Sequence, residues 1–317
     1  MSFEDPVTTV VRLLQKNMRL VKDDLSLGSV YVSKEWYDQA FFKNYDGQVT
    51  VGLEYTLDQK LELSGATRRG LGFLKVNAWS SNRDIREKLR EEINRIVREK
   101  RNTPNLTDYD FCSVGPPTGT HKAYHAAASS ELTPGHASWT ELTGQEYEKL
   151  WYSDDDRFSK SQSENGKYSM ILFRFKIESK ENVVKKIVLS FEGYGTAPSG
   201  NGVTIKVWNF DVEAWQNAQS GTGGSDETIA ITLASSLTNY IDSDGYIYLL
   251  ARTTNASDGN TAAAIYCDYV LCSITVNGVT YCDVVSYRDL DQVRVKPFLW
   301  RTEFMVKTWL FENVLGG

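Results

Sequence analysis

The sequence predicts an α+β domain, a mixed sheet flanked by helices, carrying an inserted all-β antiparallel sandwich of jelly-roll type. Three observations lead there. Residues 165–285 alternate apolar and polar positions almost throughout, with turn-rich connections and no helical stretch between them. Residues 81–101 form a strongly amphipathic helix, which needs a sheet to cover. The last segment, 293–314, alternates as a long strand that lies far from the sandwich's own closing strand.

Taken in order, the chain opens with a helix. Asp5 suits the N-cap and Pro6 the first helical position, and Val7, Val10, Val11, Leu14 and Met18 share one face. Residues 28–79 read mostly as strands, with Val49, Val51 and Leu53 alternating cleanly. In helix 81–101 the apolar stripe is Ile85, Leu89, Ile93, Ile96 and Val97; Asp84 with Lys88 and Glu91 with Arg95 are spaced as i,i+4 ion pairs, and Thr103-Pro104 ends the helix. Residues 113–140 are rich in Gly, Pro, Ser and Ala and read as a linker or an extended excursion. This places the domains at 1–115 plus 286–317 and, for the sandwich with its Gly/Pro/Ala-rich lead-in, at 116–285. The final strand, around Phe304, Val306, Thr308 and Leu310, is expected to complete the N-terminal sheet, because chain termini tend to lie close together where insertions are tolerated.

Bulk properties narrow the function. A chain of 317 residues has room for two cores, and 41% hydrophobic with 24% charged residues is ordinary for a folded protein. A net charge of −6 without a basic cluster argues against a nucleic-acid partner. No segment approaches the ~18 apolar residues of a membrane span, and MSFEDPVTTV lacks the pattern of a secretory signal, so assembly in the cytosol is expected.

No constellation of catalytic type stands out. The four cysteines, Cys112, Cys267, Cys272 and Cys282, have no CxxC spacing; free buried thiols are expected, with a Cys267–Cys282 bridge as the alternative. Gly221-Thr222-Gly223-Gly224 lacks the lysine of a phosphate loop and reads as a hairpin loop. His121, His125 and His136 fall in the apparent linker without HExxH, so a metal site is not expected there. Asp154-Asp155-Asp156, and likewise Asp242, Asp244 and Asp258, are either solvated turns or calcium ligands. There is no GxSxG elbow and no cysteine–histidine pair, so neither enzymatic activity nor a cofactor is expected. Trp208, Trp215, Tyr240, Tyr246 and Tyr248 are core packing by default, but exposed rings on a sandwich stack on sugars. The segment VWNFDVEAWQNA makes Trp208 and Trp215 the candidate glycan contacts.

Two resemblances follow from particular segments. DPVTTVVRLL, VTVGLEYTLDQKLELSGATRRGLGFLKVNAWSSNRD, the helix IREKLREEINRIVREKR and the closing WRTEFMVKTWLFENV together resemble the tail terminator (tail completion, tail-to-head joining) proteins of long-tailed viruses, over a little under half the chain. The resemblance implies a non-catalytic virion protein forming a sixfold ring that caps the tail tube and docks it to the neck or connector, with a head–tail adaptor or stopper as the related alternative. Ring contacts would then use Arg68, Arg69, Arg83, Arg86 and Arg90, the basic positions of an acidic chain. The middle, through ELTGQEYEKLWYSDDDRF, YSMILFRFKIE, KKIVLSFEGYG and AAIYCDYVLCSITV, is similar to the galactose-binding-like jelly rolls of surface and carbohydrate-binding proteins. Terminators usually lack such an insertion. This sandwich type is common on archaeal secreted proteins, which points to an archaeal virus or provirus, and a carbohydrate-binding module on an unrelated scaffold is the competing reading.

Overall fold

The structure is a computed structural model that describes residues 2–34, 36–38, 40, 43–60, 67–112, 120–291 and 298–313. In chain order the elements are α1 (Pro6–Asn17), β1 (Val30–Ser33), β2 (Gly47–Lys60), β3 (Thr67–Ser80), α2 (Arg83–Glu99), β4 (Leu106–Tyr109), β5 (Lys122–Ala128), β6 (Thr140–Glu141), α3 (Gly144–Glu148), β7 (Phe158–Gln162), β8 (Tyr168–Lys176), β9 (Val184–Thr196), β10 (Val203–Asn209), β11 (Ala214–Ser220), β12 (Glu227–Leu233), β13 (Tyr246–Thr253), β14 (Ala263–Val276), β15 (Tyr281–Asp289) and β16 (Trp300–Asn313). They form two compact units, one of residues 1–107 with 276–317 and one of residues 108–275. No described helix is long and apolar enough to cross a membrane.

The first unit is a five-stranded sheet, β1-β2-β3-β16-β15, parallel at β1-β2 and antiparallel elsewhere. The side chain of Asp5 accepts from the amide of Thr8 at 3.0 Å and starts α1. Asn82 does the same for α2, accepting from the amide of Asp84 at 2.8 Å. Both helices present their buried stripes, Val10 and Leu14 on α1 and Leu89, Ile93 and Ile96 on α2, to a core shared with Val49, Val51, Leu74, Val76, Phe304 and Val306. Beneath α1, Arg12 and Glu4 form a bidentate ion pair with side chains only 5% and 6% exposed, and Arg12 Nε donates to Thr107 Oγ1 at 3.0 Å.

Four expectations need correcting here. Tyr281–Asp289, partly assigned to the sandwich from its alternation, is strand β15 of the first unit, because it pairs with β16. Within 113–140, residues 122–128 are an internal strand and not a linker: they pair with β8 on one side and β6 on the other, which the Ala-rich composition does not signal. Residues 113–119 lie outside the described residues. On α2, Lys88 pairs with Asp23 at 2.6 Å and Arg95 with Glu92 and Glu99, in place of the anticipated partners.

The arginines offered as a subunit interface are largely engaged within their own unit. Arg86 is 2% exposed and ion-paired with Asp289 at 2.6 Å, so burial removes it from any surface. Arg90 pairs with Asp289 and lies over the Tyr287 ring, Arg83 pairs with Glu87, and Arg69 bonds Gln59 and lies over the Trp309 ring. The side chain of Arg68 is outside the described residues.

The second unit is a β-sandwich. One sheet runs β11-β10-β13-β8-β5-β6, and the other β12-β9-β14-β4 with β7 paired to β14. Its core lies between them: Val207, Leu249 and Phe173 of the first sheet are fully buried, and Phe173 packs on Phe191 of the second at 6.3 Å between ring centroids. Two glycines permit close backbone approach. A side chain at Gly193, whose φ is +152°, would run into the Tyr266 carbonyl, and one at Gly202, φ +127°, into that of Gly221.

Candidate functional site

The period of two that buries Phe173, Phe175, Ile247 and Leu249 sends their neighbours to the opposite face of the six-stranded sheet. Cross-strand register sorts that outer face into rows. Tyr248, Arg174 and Lys122 form one row, and Tyr246 stands opposite Lys176 in another. Lys206, Leu250, Leu172, Tyr124 and Glu141 form a third, and Thr204, Arg252, Met170 and Ala126 a fourth.

Half of this face is covered by the segment between β5 and β6. Glu131 pairs with Lys206 at 2.7 Å and with Arg252 at 2.8 Å, Leu132 is buried, and the indole Nε1 of Trp215 donates to the Leu132 carbonyl at 2.8 Å. Burial alone would raise the pKa of Glu131, but hydrogen bonds and charge from Lys206 and Arg252 outweigh it and hold the carboxyl below its ordinary value.

The other half is a half-buried aromatic and basic surface. The guanidinium of Arg174 lies 4.6 Å over the Tyr246 ring, and Lys176 Nζ reaches the same ring at 4.6 Å. Tyr248 packs against Phe210 at 5.9 Å, and burial raises its hydroxyl pKa while the adjacent Arg174 opposes the shift. Arg174 Nε is buried and has no hydrogen-bond partner. The other cations of the face are engaged: Lys122 with Glu141 at 2.8 Å, Lys206 and Arg252 with Glu131, and Lys176 with the Asp244 carbonyl. Five cations, Lys122, Arg174, Lys176, Lys206 and Arg252, thus face two carboxylates, Glu131 and Glu141, in a chain whose net charge is −6.

Sequence reasoning named Trp208 and Trp215, which both stand on this sheet. Trp208 is 8% exposed and meets Trp215 edge-on at 5.1 Å; the pair anchors the covering segment and does not present an open platform. Tyr246 and Tyr248, noted among the sandwich aromatics, are on the open half. Tyr124 was hidden in the apparent linker. Arg174 was overlooked, although its alternation with Phe173 and Phe175 places it outward.

The remaining candidates separate. His121 is buried and its Nδ1 accepts from the Lys176 amide at 3.0 Å, His125 packs beside Phe158, and His136 accepts from the Ser138 amide, so the three do not converge. All four cysteines are free thiols. Gly223 donates to Glu227 in the turn before β12. Among the described residues, one group of carboxylates is close enough to share a cation: Asp155, Asp226 and Asp268 lie within 4.8 Å of one another. Arg157 donates to both Asp226 and Asp155, and Asp268 accepts from the Asp155 amide at 3.1 Å, so one internal guanidinium offsets part of the charge of this cluster.

Residues 118–276 match the family model AF_1625_C, described as "Uncharacterized protein, C-terminal domain". No curated protein matches the chain. Among solved structures, it is similar to the xylan-binding module CBM15, with a TM-score of 0.30 and 10% identity over 54% of this chain and 95% of that one. A "Family 16 Carbohydrate Binding Module-2" gives a TM-score of 0.25 at 15% identity over 36% of this chain and 74% of that one. The Family 11 carbohydrate-binding module from Clostridium thermocellum, in complex with a beta-1,3-1,4-mixed-linked tetrasaccharide, gives 0.21 at 9% identity over 54% and 89%.

Proposed function

The chain belongs to the AF_1625_C family, and we propose that the sandwich carrying this match is a glycan-binding module. The observation behind this reading is the open half of the six-stranded sheet, where Tyr124, Tyr246 and Tyr248 surround Arg174 on a rigid, half-buried surface. Sugar rings offer apolar C–H faces and hydroxyl edges. Aromatic side chains complement the first, and fixed charged or hydroxyl groups the second. Because these groups stand on strands, the sheet holds their spacing without a separate ordering cost on binding. The role is binding, not catalysis. A glycan microarray followed by calorimetry on the full chain tests it: Tyr248→Ala should weaken capture about tenfold or more with the fold intact, and a silent array ends the proposal.

A second reading concerns the first unit. β1 pairs with residues 47–50 of β2, and β3 takes the other edge, so among the described residues no strand pairs with the β1 side of β2 beyond Thr50, where Leu53, Tyr55 and Leu57 are exposed. An open apolar edge of this kind supports pairing between copies, as in a virion ring at the tail–neck junction with a tail tube and connector as neighbours, or in an adaptor or stopper. Light scattering with negative-stain microscopy tests it: a closed ring, expected to be a hexamer, supports this reading, and a monomer at micromolar concentration ends it.

A further inference from the structure

Resting on the glycan-binding reading, we infer that the ligand is an anionic, uronic-acid-bearing polysaccharide whose carboxylate docks on Arg174. The juxtaposition is specific. Four of the face's five cations bond a carboxylate or a carbonyl of the chain, three a carboxylate and Lys176 the Asp244 carbonyl. Arg174 is the one of the five for which no carboxylate or carbonyl partner is found among the described residues; it meets the Tyr248 hydroxyl, and its Nε is a buried donor without a partner. A buried unpaired donor costs free energy, and an acceptor that reaches it recovers part of that cost. Guanidinium is the side chain suited to this task, because its planar fork matches a carboxylate in two parallel hydrogen bonds. Stacking on Tyr246 at 4.6 Å and contact with Tyr248 fix the plane of the fork, so little freedom is lost when the anion arrives.

The nearby carboxylates do not compete for that fork. Glu141 is held by Lys122, and Asp242, at the rim of the groove beside Tyr246, accepts from the amides of Asp244 and Tyr246. A neutral sugar would leave Arg174 half satisfied, whereas a uronate would pair it and still present a ring face to Tyr124 or Tyr248.

The test compares one polymer in two charge states, polygalacturonate and its fully methyl-esterified form, on the intact chain by affinity electrophoresis and calorimetry at low and high salt. The acid form should bind at least about tenfold more tightly than the ester, with the preference shrinking as salt rises. Arg174→Gln should abolish that preference, Arg174→Lys should keep part of it, and Arg83→Gln, far along the sequence in the first unit, should change nothing. Equal binding of acid and ester overturns the anionic assignment and leaves glycan binding standing. Acid-selective binding that survives Arg174→Gln overturns the assignment to this residue. Failure of both polymers and of a neutral glycan panel removes the glycan reading itself.

Discussion

Replacing Glu131 by Gln removes the charge that fastens the β5–β6 segment across the sandwich while keeping the side chain's shape. Two ion pairs are lost at once, with Lys206 and Arg252, whose side chains are 22% and 17% exposed against 20% for Glu131. Fully buried pairs cost ~3–5 kcal/mol to break from one side and exposed pairs at most ~1 kcal/mol, so a partly buried pair of contacts falls near ~2 kcal/mol. For a unit of this size that corresponds to a fall of about 4–8 °C in its thermal transition. The pH dependence carries the sign. Glu131 has a folded-state pKa below its ordinary 4.5, so its contribution is full above that value and disappears as pH falls through the folded pKa. Scanning calorimetry of the parent chain and Glu131→Gln from pH 7 to pH 3 should therefore show a gap at neutral pH that closes in acid. Equal transitions at pH 7, or a gap that persists unchanged near pH 3, would refute the view that ionised Glu131 clamps the segment.

Two further outcomes are expected from backbone and core. Arg12→Ala should cost ~3–5 kcal/mol in urea unfolding by stranding the buried carboxylate of Glu4, and the Glu4→Gln/Arg12→Met double variant should recover most of it; a double variant as unstable as the single one would contradict this. Gly193→Ala should destabilise the sandwich by more than ~2 kcal/mol, since its Cβ would strike the Tyr266 carbonyl at a positive φ, whereas Gly52→Ala, with nothing within 4 Å, should stay within ~0.5 kcal/mol.

The sequence by itself determined the local periods. The 3.6-residue stripe of Leu89, Ile93 and Ile96 specified α2 and its buried face, with observed ends at Arg83 and Glu99 inside the expected 81–101. The alternations through Ile171–Ile177 and Ile247–Leu249 specified strands with two unlike faces. These properties depend on neighbours a few residues away, which the sequence states directly. Only the tertiary structure decided what lies on each face and which strand is the neighbour. Period two says that Trp208 and Tyr248 leave the inter-sheet core, but not that a segment anchored by Glu131, far away in sequence, buries one and leaves the other half-open. Tyr281–Asp289 alternates as the sandwich strands do, and its place beside β16 is fixed by hydrogen bonds to residues 302–309 that no local pattern encodes. Arg86 and Arg174 are both arginines of amphipathic elements. Asp289, brought over from β15, pairs with the first, while among the described residues no ion pair reaches the second, which stacks on Tyr246.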